Sequence, residues 1–216
     1  MAQRIAVVTG ATGTLGREIV TLLCAQGLAV VAVSRSGPPL GDPAVVSVAA
    51  DMASDECITT IRQALPPGEV AFAVHAVGLP AAPGVLDVDP SMLGSAVNIK
   101  AGGLLRLVRA VGERLVIGSR VVAVGGHLGF EPSEHAPLAG VGNAALANLV
   151  GQLKSPLDRL GVTIRLAAPS YFDSPRTDRM VAARALASGR SESEVRAELA
   201  PSGIPTAAEV AEEILS

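Results

Sequence analysis

The chain has 216 residues, a formal net charge of −3, one Tyr, three Phe and no Trp. That charge gives no general attraction for phosphate backbones or anionic lipids, and the shortage of aromatics removes the stacking platform of a single-strand nucleic-acid binder. Apolar residues make up 49% and charged residues 17%, a balance that excludes disorder and calls for a core of Ala, Val, Leu and Ile.

Apolar strands alternate with helical segments along the whole chain. Ile5–Thr9 is predicted as a short buried strand, followed by a glycine-rich turn and a helix from about Gly13 to Gln26, with Gly27 at its C-terminal cap. Leu28–Ser34 is a second strand. Its glycines and prolines make Ser36–Pro43 a loop, and Val45–Ala49 is a third strand. A helix follows over Ser54–Ala64, with Ser54 as N-cap and Asp55 and Glu56 in its first turn. Val70–His75 is the fourth strand. Ser91 to about Val116 reads as one long helix, apolar on most faces, and Arg120–Gly125 as the fifth strand. A helix over Leu138–Leu160, bent at Pro156, precedes the sixth strand, Val162–Ala167. From Pro169 a lid-like segment to about residue 203 carries amphipathic helices, with Ser191 an N-cap before acids, and the last helix is Thr206–Leu215.

Strands that are apolar throughout belong in a sheet covered on both faces, and strand–helix alternation implies parallel pairing. The expectation is one α/β domain: a doubly wound, Rossmann-like parallel sheet of six strands in the order 3-2-1-4-5-6. No apolar run reaches the roughly 18 residues of a membrane span. The opening MAQRIAVVTG has no leader pattern, so a cytoplasmic protein is expected. Cys24 and Cys57 have neither disulfide nor metal spacing and are read as reduced thiols; no metal site is expected.

The segment Thr9–Gly16 reads TGATGTLG at the first strand–helix junction. Glycine there permits φ > 0 and close approach of the backbone to a pyrophosphate, which the free amides of the helix N-terminus then hold. Gly10, Thr12, Gly13, Thr14, Leu15 and Gly16 are the predicted cradle. At the end of the second strand stand Ser34 and Arg35 instead of an acid for the ribose 2′-hydroxyl. Arg35 suits a 2′-phosphate, which favours NADP(H) while leaving NAD(H) open.

These residues resemble the short-chain dehydrogenase/reductase family over nearly the whole chain. The resemblance implies that Asp51, with Met52, contacts the adenine. It sets Ala76 and Gly78 in the family's asparagine-rich segment after the fourth strand and maps its catalytic asparagine to Asn98. Pro169 and Ser174 fall in the loop flanking the nicotinamide. It also implies a homodimer through the helices 91–116 and 138–160, and a seventh strand that this sequence does not reach, which puts the usual tetramer contacts in doubt. The family's serine, tyrosine and lysine fall on Gly126, Ala139 and Asn143, so its usual proton relay is absent. His127, after Gly126, and Tyr171, beyond Pro169, are the candidates to replace the proton donor. His75 is read as a packed, hydrogen-bonded histidine, and Glu131, Glu134 and His135 as a solvated loop.

Three functions fit. The first is an atypical NADP(H)-dependent oxidoreductase acting on a small carbonyl or alcohol. The second is a non-redox isomerase, cyclase or lyase on the same scaffold. The third is a non-catalytic NADP(H)-binding sensor or partner subunit.

Overall fold

The computed structural model describes residues 3–37 and 40–216; Pro38 and Pro39 of the expected Ser36–Pro43 loop lie outside the described residues. Six parallel strands form one sheet: β1 (Arg4–Thr9), β2 (Ala29–Ser34), β3 (Val45–Ala49), β4 (Glu69–His75), β5 (Leu115–Val124) and β6 (Thr163–Ala167). Their order is β3-β2-β1-β4-β5-β6, as expected for a doubly wound sheet.

Period-two alternation sends neighbouring residues of β1 to opposite faces. Ile5 and Val7 join a core under α2 (Glu56–Ala64), α4 (Gly103–Val111) and α5 (Pro137–Asp158), with Ile61, Leu104, Leu107, Leu146 and Val150. Ala6 and Val8 join a second core under α1 (Thr14–Ala25) and α8 (Ala207–Leu215), with Ile19, Leu23, Val210 and Ile214. Gly27, in the left-handed region at φ 79°, stops α1 one residue past its cap.

Two expectations need correction. The long helix over Ser91–Val116 is instead α3 (Pro90–Val97), a wide π turn (Asn98–Gly102) and α4, with a tight 3₁₀ turn at Gly112–Arg114. Leu115 and Val116 then belong to β5, because the chain re-enters the sheet before Gly118. Gly118 has φ 87°, and its amide donates to the Gly161 carbonyl at 2.8 Å, so β5 bulges between the Leu115–Val70 and Arg120–Phe72 pairings. The Ser54 hydroxyl accepts the Glu56 amide at 3.3 Å, but α2 starts at Glu56 with Asp55 at its cap position.

Beyond β6, α6 (Pro175–Ser188) and α7 (Glu192–Leu199) pack on each other through Val181, Ala185 and Val195, apart from the main cores. Arg176 of α6 donates to the Leu79 carbonyl at 3.2 Å and ties this pair to the loop after β4. α8 differs in kind: it is part of the second core. Among the described residues no helix is long and apolar enough to cross a membrane.

Candidate functional site

The carboxyl ends of β1, β4, β5 and β6 share one edge of the sheet, where ligands bind in doubly wound folds. At β1 the chain turns sharply. Gly10 has φ 76°, and a Cβ there would lie 2.6 Å from the Ala76 carbonyl oxygen. A Cβ on Gly16 would lie 2.1 Å from the Gly10 carbonyl oxygen, so α1 can start this close to β1 only with glycine. The cap residue Gly13 offers no side-chain bond, and no acid occupies the first turn of α1. Gly13 and Thr14 are exposed, Thr12 is half-buried, and Leu15 faces the core. The first-turn amides therefore form an open, positively polarised end that fits a pyrophosphate.

The rim of this cradle carries the other predicted contacts. Arg35 is exposed beyond the end of β2, while the Ser34 hydroxyl accepts the Gly37 amide at 3.0 Å. Asp51 is exposed, and its carboxylate accepts the Ala53 amide at 2.9 Å. Met52 buries its side chain in the first core, and its carbonyl accepts Arg106 Nη1 at 3.0 Å. Ala76 donates its amide to the Thr9 carbonyl at 3.0 Å, holding the floor of the turn. Gly78 is exposed, with nothing within 4 Å of an added Cβ. The Ser174 hydroxyl caps α6, accepting the Thr177 amide at 3.2 Å. The donor set thus suits a dinucleotide: amides for the pyrophosphate, with an exposed guanidinium and an exposed carboxylate on the rim.

At the head of β5 the structure brings two candidates together. The His127 and Tyr171 rings meet edge-on, with centroids 4.9 Å apart and planes at 65°. The His127 amide donates to the Pro169 carbonyl at 3.4 Å, which joins this turn to the loop after β6. Both rings are half-buried. Gly126 stands against Asn143 of α5: an added Cβ would lie 3.0 Å from Asn143 Nδ2. Asn143 is buried, and its Oδ1 has no hydrogen-bond partner among the described residues. Ala139 is buried one turn earlier on the same helix. His135 lies 3.5 Å from Glu134, and both side chains are exposed, as a solvated loop requires.

The π turn is the junction between the two ends of this edge. Asn98 Nδ2 donates to the Ala53 carbonyl at 2.9 Å, and the Asn98 carbonyl accepts Arg106 Nη1 at 3.3 Å. Asn98 therefore reaches the loop after β3, not the His127–Tyr171 pair. His75 is fully buried, with Nε2 3.1 Å from the Ile99 carbonyl and Nδ1 2.8 Å from the Thr9 hydroxyl. A carbonyl only accepts, so Nε2 carries the proton and Nδ1 accepts from Thr9. Burial and then the Lys100 charge push the His75 pKa down to about 3. Lys100, two residues after Asn98, was not singled out by sequence reasoning. It is 6% exposed, and its Nζ donates to the Val124 carbonyl at 2.9 Å, at the end of β5. Burial, and then Arg176, lower its pKa to about 8.

A family model described as short chain dehydrogenase matches residues 4–185. An uncharacterized oxidoreductase of Staphylococcus epidermidis is 26% identical over 187 residues, covering 82% of this chain and 81% of that protein. A short chain dehydrogenase from Burkholderia cenocepacia, solved in complex with NADP, superposes with a TM-score of 0.79 at 19% identity, covering 99% of this chain and 83% of that one. A short chain oxidoreductase from Pseudomonas aeruginosa, described as containing an atypical catalytic center, gives a TM-score of 0.79 at 20% identity, covering 98% and 88%.

Proposed function

Because the chain belongs to the short-chain dehydrogenase family, we propose that it is an NADP(H)-dependent oxidoreductase that interconverts a small carbonyl compound and its alcohol without the usual phenol–ammonium pair. The observation that carries this reading is the His127–Tyr171 contact at the carboxyl edge of β5 and β6, beside the open glycine cradle. The bound nicotinamide would supply the hydride. Gly10, Gly13 and Gly16 hold the pyrophosphate through the first-turn amides, Arg35 holds the 2′-phosphate and Asp51 the adenine. His127 exchanges the proton with the substrate oxygen, and Tyr171 fixes the plane of its ring. Gly126 and Ala139 stand where the family's serine and tyrosine would supply a hydroxyl and a phenol, so neither competes with His127 for the substrate oxygen.

The test is a titration of the purified protein with NADPH and NADH, followed by nicotinamide fluorescence; no tryptophan complicates the signal. Tight NADPH binding with weaker NADH binding is expected, and failure to bind either removes the cofactor reading. A ketone panel then gives the substrate class. His127→Ala should lower turnover by about 10²–10⁴-fold, the usual worth of one general acid; unchanged turnover removes His127 from the mechanism.

One observation favours a second reading, a non-redox enzyme on the same scaffold: Gly126, Ala139 and Asn143 together offer no group that exchanges a proton. Product formation without nicotinamide turnover would select it. The chain is further proposed to work in the cytoplasm as a homodimer through the α3–α4 and α5 helices.

A further inference from the structure

Lys100 is the one lysine or arginine in the buried class among the described residues. Taking an ammonium out of water is expensive unless other groups replace its hydration. An ammonium has three N–H donors, and among the described residues Lys100 has one acceptor, the Val124 carbonyl at 2.9 Å. No carboxylate pairs with it among the described residues. The fold therefore holds an under-satisfied cation at Val124, the carboxyl end of β5, directly before Gly125 and Gly126.

Local geometry explains how the side chain arrives there. A π turn carries one extra residue, which rotates the positions inside it relative to a regular helix; such turns recur at functional sites. Lys100 is the central residue of the Asn98–Gly102 turn. On the facing helix, Gly142 clears its path: a Cβ there would lie 3.4 Å from Lys100 Cγ and 2.9 Å from Leu79 Cδ1. The next residue is Asn143, whose buried Oδ1 has no partner and whose Nδ2 abuts Gly126. Lys100, with donors to spare, thus bonds to Val124, and Asn143, with an acceptor to spare, packs at Gly126, two residues further along the chain.

We propose that Lys100 is a ligand-facing cation of the nicotinamide end of the cleft, delivered by the turn between α3 and α4 in place of an ammonium from α5, and that it discriminates between the charge states of the cofactor. This rests on the cofactor reading above. An ammonium here disfavours the oxidised nicotinamide, which carries a positive charge, and leaves the neutral reduced ring unopposed. The groups that face it are His75 from β4, held neutral, Arg176 from α6, which repels it, the uncharged Gly142 and Asn143 from α5, and the Val124 carbonyl from β5. Arg106, on the adjoining α4, is turned away toward Asp55. With a pKa near 8, the side chain loses its charge within an accessible range.

The experiment measures Kd for NADPH by fluorescence and for NADP⁺ by competition, from about pH 7 to 9. The 2′-phosphate is common to both forms, so its ionisation cancels in the ratio. In the wild-type chain the NADP⁺/NADPH ratio of Kd values should fall about tenfold as pH rises and Lys100 discharges, the scale of one charge–charge interaction at a partly screened site. Lys100→Met should show the low ratio at every pH, and Lys100→Arg, a cation that does not discharge, should keep the high ratio at pH 9. A wild-type ratio that stays flat overturns the proposal, and the wild-type measurement stands even if a variant fails to fold. A pH-dependent ratio that persists unchanged in folded Lys100→Met overturns it as well. Failure of both nucleotides to bind wild-type protein at any pH overturns the cofactor reading itself and the proposal with it.

Discussion

His75 is held by the Thr9 hydroxyl on one ring nitrogen and the Ile99 carbonyl on the other, and its ring is fully buried. Burial strips a charged imidazolium of its hydration and the nearby Lys100 charge repels it, so the ring stays neutral. Its folded pKa, about 3, lies below the unfolded value near 6.5. Between those values the unfolded chain binds a proton that the folded chain refuses, so the stability this group contributes is complete above pH 6.5 and declines as pH falls. At pH 5 the loss is about 2 kcal/mol. Urea unfolding at pH 7 and pH 5 measures it; equal midpoints would show that the ring takes up a proton without cost. The lowered carboxylate pKa values at Asp89, Glu194, Glu198 and Glu209 start from 3.8 or 4.5 and act at lower pH, so they do not mimic the effect. Two glycines make a paired test of the cradle. Gly10→Ala combines a positive φ with a Cβ 2.6 Å from a carbonyl oxygen, and should abolish NADPH binding or folding. Gly78→Ala meets nothing within 4 Å and should leave stability within about 0.5 kcal/mol. If thermal melts and NADPH titrations show both changes to be equally mild, the turn is looser than its geometry implies.

Secondary elements divide into those a local pattern specifies and those that a distant contact specifies. β1, β2 and β4 were legible because both faces of each strand are buried, which leaves continuous apolar runs. The glycine turn was legible because its spacing is tied to a strand–helix junction. The break at Asn98–Gly102 was not: NIKAG contains no proline, and its sequence continues a helical pattern. The break answers to distant partners. Ile99 turns its carbonyl to His75, and Gly103 admits that ring, since a Cβ there would lie 2.7 Å from His75 Cε1. The one local signal was the pair Gly102–Gly103, unusual inside a helix. The same turn hid the inward position of Lys100. α8 combines both: a local capping box of Thr206 and Glu209 starts it, and distant contacts anchor it. Val210, Ala211, Ile214 and Leu215 pack into the second core, and Arg120 and Arg165 donate to the last carbonyls of the helix, including Leu215 at 3.0 Å and Glu213 at 2.7 Å. Ile214→Ala should therefore cost about 2–5 kcal/mol, against less than about 0.5 for Leu186→Ala on the exposed face of α6. Chemical denaturation of both variants decides; a small loss at Ile214 would mean that α8 is held by its arginine caps and not by packing.

At the scale of the whole molecule, the covered and uncovered faces differ in kind. The sheet is closed above and below by helices, yet α5 keeps an outward stripe of Val141, Ala144, Asn148 and Gly151. Small side chains let a second helix approach closely, and Gln152 Nε2 donates to Asn148 Oδ1 at 2.6 Å along the stripe. Val141 is 43% exposed and Phe130, just before α5, is 62% exposed. A stable pair of chains buries about 1,200–2,000 Å² in total, more than one helix supplies, so α3 and α4 must join α5 in the contact. That is the arrangement proposed for the dimer. Light scattering on the purified chain should then give twice 21.7 kDa at micromolar concentration. Ala144→Glu sets a carboxylate on the proposed contact face of each chain without touching either core, and should return the mass to 21.7 kDa with the far-UV spectrum unchanged. A dimer also makes the melting temperature rise with protein concentration, because only the folded chain associates. A wild-type mass of 21.7 kDa at every concentration, with a melting temperature independent of it, would leave the α5 stripe as ordinary surface and the site complete within one chain.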